Sequence, residues 1–362
     1  MSLPVVRLIG SPGDQGREHG RRLARRIARN VEIYFYRFET EAKLTRDQVY
    51  ERSGAYGRAV AASNVAYYEG MVGVAEGSGV PLDDVIALNV RYEILYYQFG
   101  ITAMSDGCTS FAVSPRCSAR SHLLMGQNWD WIPWVQGAVL HSDGPGGLEI
   151  LAFTEAGVVG GKIGLNSSGL GLAINGMTTT TDDWSRLSTP FHVRCHEILR
   201  RERFEDAVAV VTGEERACST NFLIAQPPDR AADLEAAPDA VRTLAWENGK
   251  IVHTNHFLDP AAIGIREPPI ERLSSRTRIK RFTDLVRTES RLTMEDLARN
   301  LRDHDDAPQS VCRHGDSADP PEEQYVTVTS IVMDLDDRTL WITEGPPCEN
   351  PYEVHRLTPR VD

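Results

Sequence analysis

A thiol directly after a glycine, in Asp106-Gly107-Cys108-Thr109-Ser110-Phe111, is the arrangement in this sequence best suited to covalent chemistry. Glycine gives the backbone freedom and close approach that an attack by a cysteine sulfur on its own preceding carbonyl requires. The attack produces a thioester, and hydrolysis leaves Cys108 as a new N-terminus with a free α-amine. That amine has an unperturbed pKa of about 7.7–8.0 and the thiol one of about 8.5, so both titrate near neutrality. The amine can then serve as the thiol's own general base. Taken alone, Gly-Cys-Thr also fits an ordinary strand start.

Four downstream segments carry polar groups that such chemistry needs. Gly126-Gln127-Asn128-Trp129-Asp130 places two amides and a carboxylate about twenty residues on, on what reads as the adjacent strand of a hairpin. Gly171-Leu172-Ala173-Ile174-Asn175-Gly176-Met177 ends an apolar strand in an amide flanked by glycine. His253-Thr254-Asn255-His256-Phe257 repeats that device, and Ser274-Ser275-Arg276-Thr277-Arg278 opens a helix with arginines.

With these motifs in this order, nearly the whole chain resembles the acyl-coenzyme A:6-aminopenicillanic-acid acyltransferase-like family. Those are cysteine-type N-terminal nucleophile hydrolases, distant kin of bile salt hydrolases and penicillin V acylases. The resemblance implies one α+β domain over residues 1–362, a four-layer αββα sandwich of two antiparallel sheets between helical layers. It also implies a zymogen that cuts itself between Gly107 and Cys108 into a helical α chain (1–107) and a catalytic β chain (108–362) that stay together. Cys108 matches the nucleophile and Asp130 the carboxylate that balances its amine. Asn255 matches the oxyanion-hole asparagine, and Asn175 a second oxyanion or substrate-facing group. Arg278 matches the active-site arginine, with Arg276 two positions away as the competing assignment. Amide or thioester bonds of small acylated substrates are the implied targets, with acyl-CoA or an amine as partners. Hydrolysis and acyl transfer both stay open.

The elements that must position these residues read in alternating blocks. Helical periodicity runs over 14–41 and 45–75 and resumes after Pro81, so the first hundred residues are helical with no strongly alternating strand. From Thr109 onward, short apolar runs at 109–113, 123–130, 148–153, 157–165 and 169–174, separated by glycine and polar turns, predict an antiparallel sheet. Helices follow at 190–201, 205–212, 274–288 and 293–304. Strands are expected at 221–225, in a 243–254 hairpin turning on Asn248-Gly249, and in a 326–334/339–344 hairpin. Residues 305–323 read as a loop. Blocks of helices and strands favour α+β layering over a parallel βαβ fold.

Composition removes other classes. A net charge of -12 argues against nucleic acid and against an anionic membrane surface, both of which need a clustered positive field. No run approaches the roughly 18 apolar residues of a membrane span. The arginine-rich stretch from Arg17 to Arg29 lacks the apolar core of a signal, so a cytoplasmic location is expected. Six scattered cysteines suggest free thiols rather than a disulfide framework. His253, His256, His304 and His314 invite a metal reading, but no cysteine or carboxylate cluster accompanies them in sequence, so neither metal nor cofactor is expected. Trp129, Trp131 and Trp134 read as core or as the wall of an acyl pocket. The glycines of 157–171 lack any nucleotide-binding context. Two competing classes are an unprocessed, non-catalytic relative of the same fold and a papain-type protease; the latter's Cys-Gly-Ser-Cys-Trp run is absent.

Overall fold

A computed structural model describes residues 3–95, 107–269, 273–316, 320 and 324–358. Asp106 of the first motif lies outside them. The chain opens with β1 (Val5–Leu8), then α1 (Pro12–Thr40), α2 (Arg46–Ser63), α3 (Val65–Ser78), α4 (Leu82–Asn89) and α5 (Arg91–Leu95). Ser11 and Asp14 form a reciprocal capping box that starts α1, with Pro12 in its first turn. The single helix expected over 45–75 is two, because Asn64 ends α2 and caps α3 with its side chain.

Strands follow as β2 (Thr109–Val113), β3 (Leu124–Trp131), β4 (Gly137–Asp143), β5 (Glu149–Glu155), β6 (Ile163–Asn166) and β7 (Gly171–Gly176). After α6 (Phe191–Leu199) and α7 (Phe204–Thr212) come β8 (Thr220–Gln226), β9 (Arg230–Ala236), β10 (Val241–Leu244) and β11 (Lys250–His253). The chain then forms α8 (Leu273–Arg287), α9 (Met294–Asn300), β12 (Val326–Asp334), β13 (Thr339–Ile342) and β14 (Glu353–Arg356).

Two sheets result, ordered β1-β4-β5-β6-β7-β8-β9-β10 and β11-β2-β3-β12-β13-β14. They face each other through β2, β3, β7 and β8. Helices α1, α6 and α7 pack on the eight-stranded sheet, and α8 and α9 on the six-stranded one. This is the expected αββα order. Buried strands without polar alternation, such as all eight residues of β3, follow from having a layer on both sides.

Three expectations are corrected. The N-terminal hundred residues do contain a strand, since β1 pairs parallel with β4; four residues are too few to show alternation. That edge pair is parallel in an otherwise antiparallel sandwich. The 243–254 hairpin does not form: β10 pairs with β9 and β11 with β2, in different sheets. The local turn is present, with Asn248 and Gly249 at φ 54° and 79° and a bridge between Glu247 and Lys250. Turn chemistry sets the reversal, but the two strands it joins pair outward with different neighbours, β9 and β2.

Candidate active site

Strand register assembles the site around the start of β2, which lies between β11 and β3. Thr109 pairs with Asn128, and continuing that antiparallel ladder by two residues sets Gly107 opposite Asp130. On the other side Ser110 pairs with His253, and the same continuation sets Cys108 opposite Asn255. Residues 22 and 147 positions from Cys108 are thus brought to its two sides by backbone pairing alone.

Asn255 holds the Gly107–Cys108 bond directly. Its Oδ1 accepts the amide N–H of Cys108 at 2.8 Å and that of Gly107 at 3.1 Å. Its Nδ2 donates to the Gly176 carbonyl at 3.0 Å. An amide nitrogen carries two hydrogens, so one remains beyond the bond to Gly176. The Asn255 backbone N–H donates to Ser275 Oγ at 2.8 Å, which ties the β11 end to the start of α8.

Arg278, on α8, is fully buried. It donates from Nη1 to the Cys108 carbonyl at 2.5 Å and to Thr109 Oγ1 at 3.1 Å, and from Nη2 to Asn255 Oδ1 at 3.1 Å. Arg276 is exposed. Helical periodicity separates them, because two positions on is the opposite face.

Gly107 is required for space rather than for an unusual backbone angle. A Cβ there would lie 2.7 Å from the Asp130 carbonyl oxygen, a backbone atom that cannot yield cheaply. Cys108 Sγ faces that same carbonyl at 3.9 Å. Burial first, and then the Asp130 carboxylate, push the Cys108 thiol up to about 12, against the opposing charges of Arg278 and Lys162. Asp130 accepts from Thr327 Oγ1 of β12 at 2.7 Å.

Asn175 stands one step further into the inter-sheet layer. Its Oδ1 accepts from Ser110 Oγ at 2.7 Å and from Asn221 at 3.2 Å. The neighbours Ile174 and Gly176, but not Asn175 itself, line the cavity that contains Cys108. Trp129 and Trp131 line it too, whereas Trp134 is exposed. The cavity measures about 20 Å³, room for about one water. Roomier hollows lie elsewhere, at about 150 Å³ on the α1–α3 face and about 460 Å³ beside α8. Neither contains a cysteine, so volume and chemistry point to different places.

Sequence reasoning missed the charged wall of this cavity. Lys162 and Arg91 both line it. Glu155 accepts from Tyr34, Arg91 and Lys162, and Trp131 Nε1 donates to the Tyr34 hydroxyl at 2.7 Å. The Lys162 ammonium sits 3.2 Å from the centroid of the Trp129 ring. Burial, helped by Arg91 and opposed by Glu155, pulls Lys162 down to about 7. Burial alone would raise Glu155, but Arg91 and Lys162 reverse that and keep it ionised. One signal was available: Lys162 is one of four lysines in a chain whose basic residues are otherwise arginine.

The histidines fall into two groups. His253 meets Glu235 at 3.1 Å and the Thr254 carbonyl at 2.8 Å, and His256 meets Ser275 Oγ at 2.7 Å. Those two are held by protein groups. His304 and His314, however, lie with Cys312 and Cys348, correcting the expectation that no cysteine cluster accompanies them.

Residues 117–349 match the family model described as acyl-coenzyme A:6-aminopenicillanic acid acyl-transferase. The 40 kDa form of the acyl-coenzyme A:6-aminopenicillanic-acid-acyltransferase of Emericella nidulans is 26% identical over 355 residues, covering 96% of this chain and 94% of that one. Among solved structures, a variant of the conjugated bile acid hydrolase from Clostridium perfringens aligns with a TM-score of 0.46 at 10% identity, over 69% of this chain and 97% of that chain. Penicillin V acylase from Agrobacterium tumefaciens aligns with a TM-score of 0.46 at 13% identity, over 66% and 83%. No described helix is long and apolar enough to cross a membrane.

Proposed function

The chain belongs to the acyl-coenzyme A:6-aminopenicillanic acid acyl-transferase family, and from that premise we propose that it is a self-cleaving cysteine amidohydrolase or N-acyltransferase with Cys108 as nucleophile. The family match begins after Cys108, so this assignment rests on geometry. One observation carries it: a single buried side-chain oxygen, Asn255 Oδ1, accepts the N–H groups on both sides of Cys108's preceding residue and of the scissile bond itself.

In the cleavage step Cys108 Sγ attacks the Gly107 carbonyl carbon. The C–N bond breaks, the Gly107 acyl group moves to sulfur, and the nitrogen leaves as an amine. Water then hydrolyses the thioester, giving a Gly107 carboxylate and a free thiol. Asn255 and Arg278 favour this by fixing the nitrogen and the Cys108 carbonyl, while Gly107 permits the close fit against Asp130. The cut also changes the nucleophile. A neutral amide becomes an ammonium next to Sγ, and a nearby positive charge lowers a thiol pKa. A thiol held near 12 in the intact chain is thereby brought toward use.

In turnover the thiolate attacks an acyl carbonyl, and the α-amine carries the proton to the leaving amine or thiol. The second hydrogen on Asn255 Nδ2 is assigned to the oxyanion; one such donor is worth about 2.7–4 kcal/mol. Water or an acceptor amine then takes the acyl group from Cys108. The α and β chains are expected to stay together, since β1 is hydrogen-bonded to β4 and Tyr34 and Arg91 both bind Glu155 across the cut.

Screening N-acyl amino acids, penicillins and acyl-CoA donors with native protein and with Cys108→Ala tests the reading. Acyl release or transfer by the native chain alone is expected. Equal activity in Cys108→Ala would remove the nucleophile.

A further inference from the structure

Away from Cys108, four side chains with soft or borderline donor atoms converge. His304 follows α9, Cys312 and His314 lie in the strap after it, and Cys348 lies in the turn between β13 and β14. One donor atom from each lies within 4.8 Å of all the others. The two histidine Nε2 atoms are 3.2 Å apart and the two Sγ atoms 3.6 Å apart. His314 Nε2 is 3.2 Å from Cys348 Sγ and 3.8 Å from Cys312 Sγ.

Those spacings are four of the six edges of a small tetrahedron, and the two from His304 to the sulfurs lie within 4.8 Å. A zinc ion with bonds of about 2.3 Å to sulfur and about 2.0–2.1 Å to nitrogen needs edges of about 3.8, 3.4 and 3.6 Å for S–S, N–N and S–N pairs. Those four edges fall within a few tenths of an ångström of these values. Two thiols and two imidazoles are also the donor set that suits zinc, with no oxygen ligand that would favour calcium or magnesium. The surroundings fit as well. Cys312 is buried while His304 and Cys348 are exposed, which gives an ion a way in. His314 Nδ1, the nitrogen turned away from the cluster, has the Glu349 carboxylate 3.6 Å away. Cys312 is itself anchored, its N–H on the Asp303 carbonyl at 2.9 Å and its carbonyl taking Ser310 Oγ at 2.7 Å.

We propose that His304, Cys312, His314 and Cys348 form a closed, structural zinc site that fastens the strap after α9 to the turn after β13. Binding converts both thiols to thiolates and releases two protons to solvent; the metal changes no oxidation state. The strap reaches toward the catalytic wall. The Val311 carbonyl takes Asn128 Nδ2 at 2.9 Å, and the Arg313 N–H donates to Thr327 Oγ1 at 2.9 Å. That same hydroxyl donates to Asp130. The site thus supports the β3–β12 face on which Asp130 stands.

Metal analysis of the full chain, purified reduced from zinc-supplemented cells, tests this without reference to acyl chemistry. One zinc per chain is expected, retained in Cys108→Ala and reduced at least tenfold in Cys348→Ser and in His304→Gln. The chelated, reduced chain should take zinc from a chromophoric chelator and give with cobalt the intense visible absorption of a tetrahedral thiolate site. His304 is exposed, so its variant folds even if the cysteine variant does not. Metal-free protein that takes up neither ion, or a Cys312–Cys348 disulfide in fresh reduced material, would overturn the proposal. Loss of zinc in Cys108→Ala would overturn it too, whatever the fate of the nucleophile assignment.

Discussion

Replacing Arg278 by lysine keeps the positive charge beside Cys108 but removes the planar fork that delivers it. In the native chain the guanidinium donates to the Cys108 carbonyl at 2.5 Å and to Thr109, Asn255 and Ser274 at 3.1 Å each. A lysine ammonium projects its donors from one atom on a shorter stem and cannot reach acceptors on three different elements. At least two of these bonds are therefore lost, each at about 1–3 kcal/mol for a buried acceptor left without its donor. The Cys108 carbonyl and Asn255 Oδ1 are then free to drift, and a shift of about 1 Å at a reacting group costs on the order of 10²-fold in rate. Cleavage between Gly107 and Cys108, followed on gels after cell-free synthesis, is expected to slow by about that factor. Arg278→Met, which removes charge and donors together, should also lower the melting temperature. Cleavage of Arg278→Lys at the native rate would refute the view that this fork fixes the scissile unit.

Three further outcomes follow from the same contacts. Gly107→Ala forces a Cβ to within 2.7 Å of the Asp130 carbonyl and should block cleavage, read as a persisting full-length band; normal cutting would mean the close approach is not needed. Asn255→Asp keeps the oxygen that holds the scissile N–H but loses Nδ2. It should cut within tenfold of native and then turn over about 10²–10³-fold more slowly, whereas loss of both together would assign Asn255 to cleavage alone. Buried His19, which accepts the Gly157 N–H at 3.0 Å, is pulled by burial from 6.5 down to about 4. The unfolded chain therefore takes up that proton first, and stability falls as pH drops from about 6.5 to 4, by up to about 3 kcal/mol. Urea melts across that range should show a shallower loss in His19→Gln, and an equal loss would clear His19.

What the sequence made legible was local. Helix caps, the Asn248-Gly249 turn and the Gly-Gln-Asn-Trp-Asp motif of β3 each declare themselves within a few residues. The pairing of β10 and β11 with different sheets does not, because each strand's partner, β9 or β2, lies outside the local turn. The same division holds at the site. Cys108, Asp130, Asn255 and Arg278 sit in motifs and lie together at the start of β2, while Asn175 lies behind the cavity, its side-chain oxygen taken by Ser110 and Asn221. Lys162 and Glu155 have no motif, since a buried charge pair is defined by who surrounds it and not by spacing. His314 and Cys348 meet across 34 positions, a separation no ligand pattern would have linked.

Intact mass and N-terminal sequencing of the freshly purified full chain test the central claim most directly. The account predicts two associated fragments of about 12 and 28 kDa, from 107 and 255 residues, the larger beginning at Cys108, and a single uncut chain for Cys108→Ala. A stable native chain of 362 residues with its Gly107–Cys108 bond intact would contradict it.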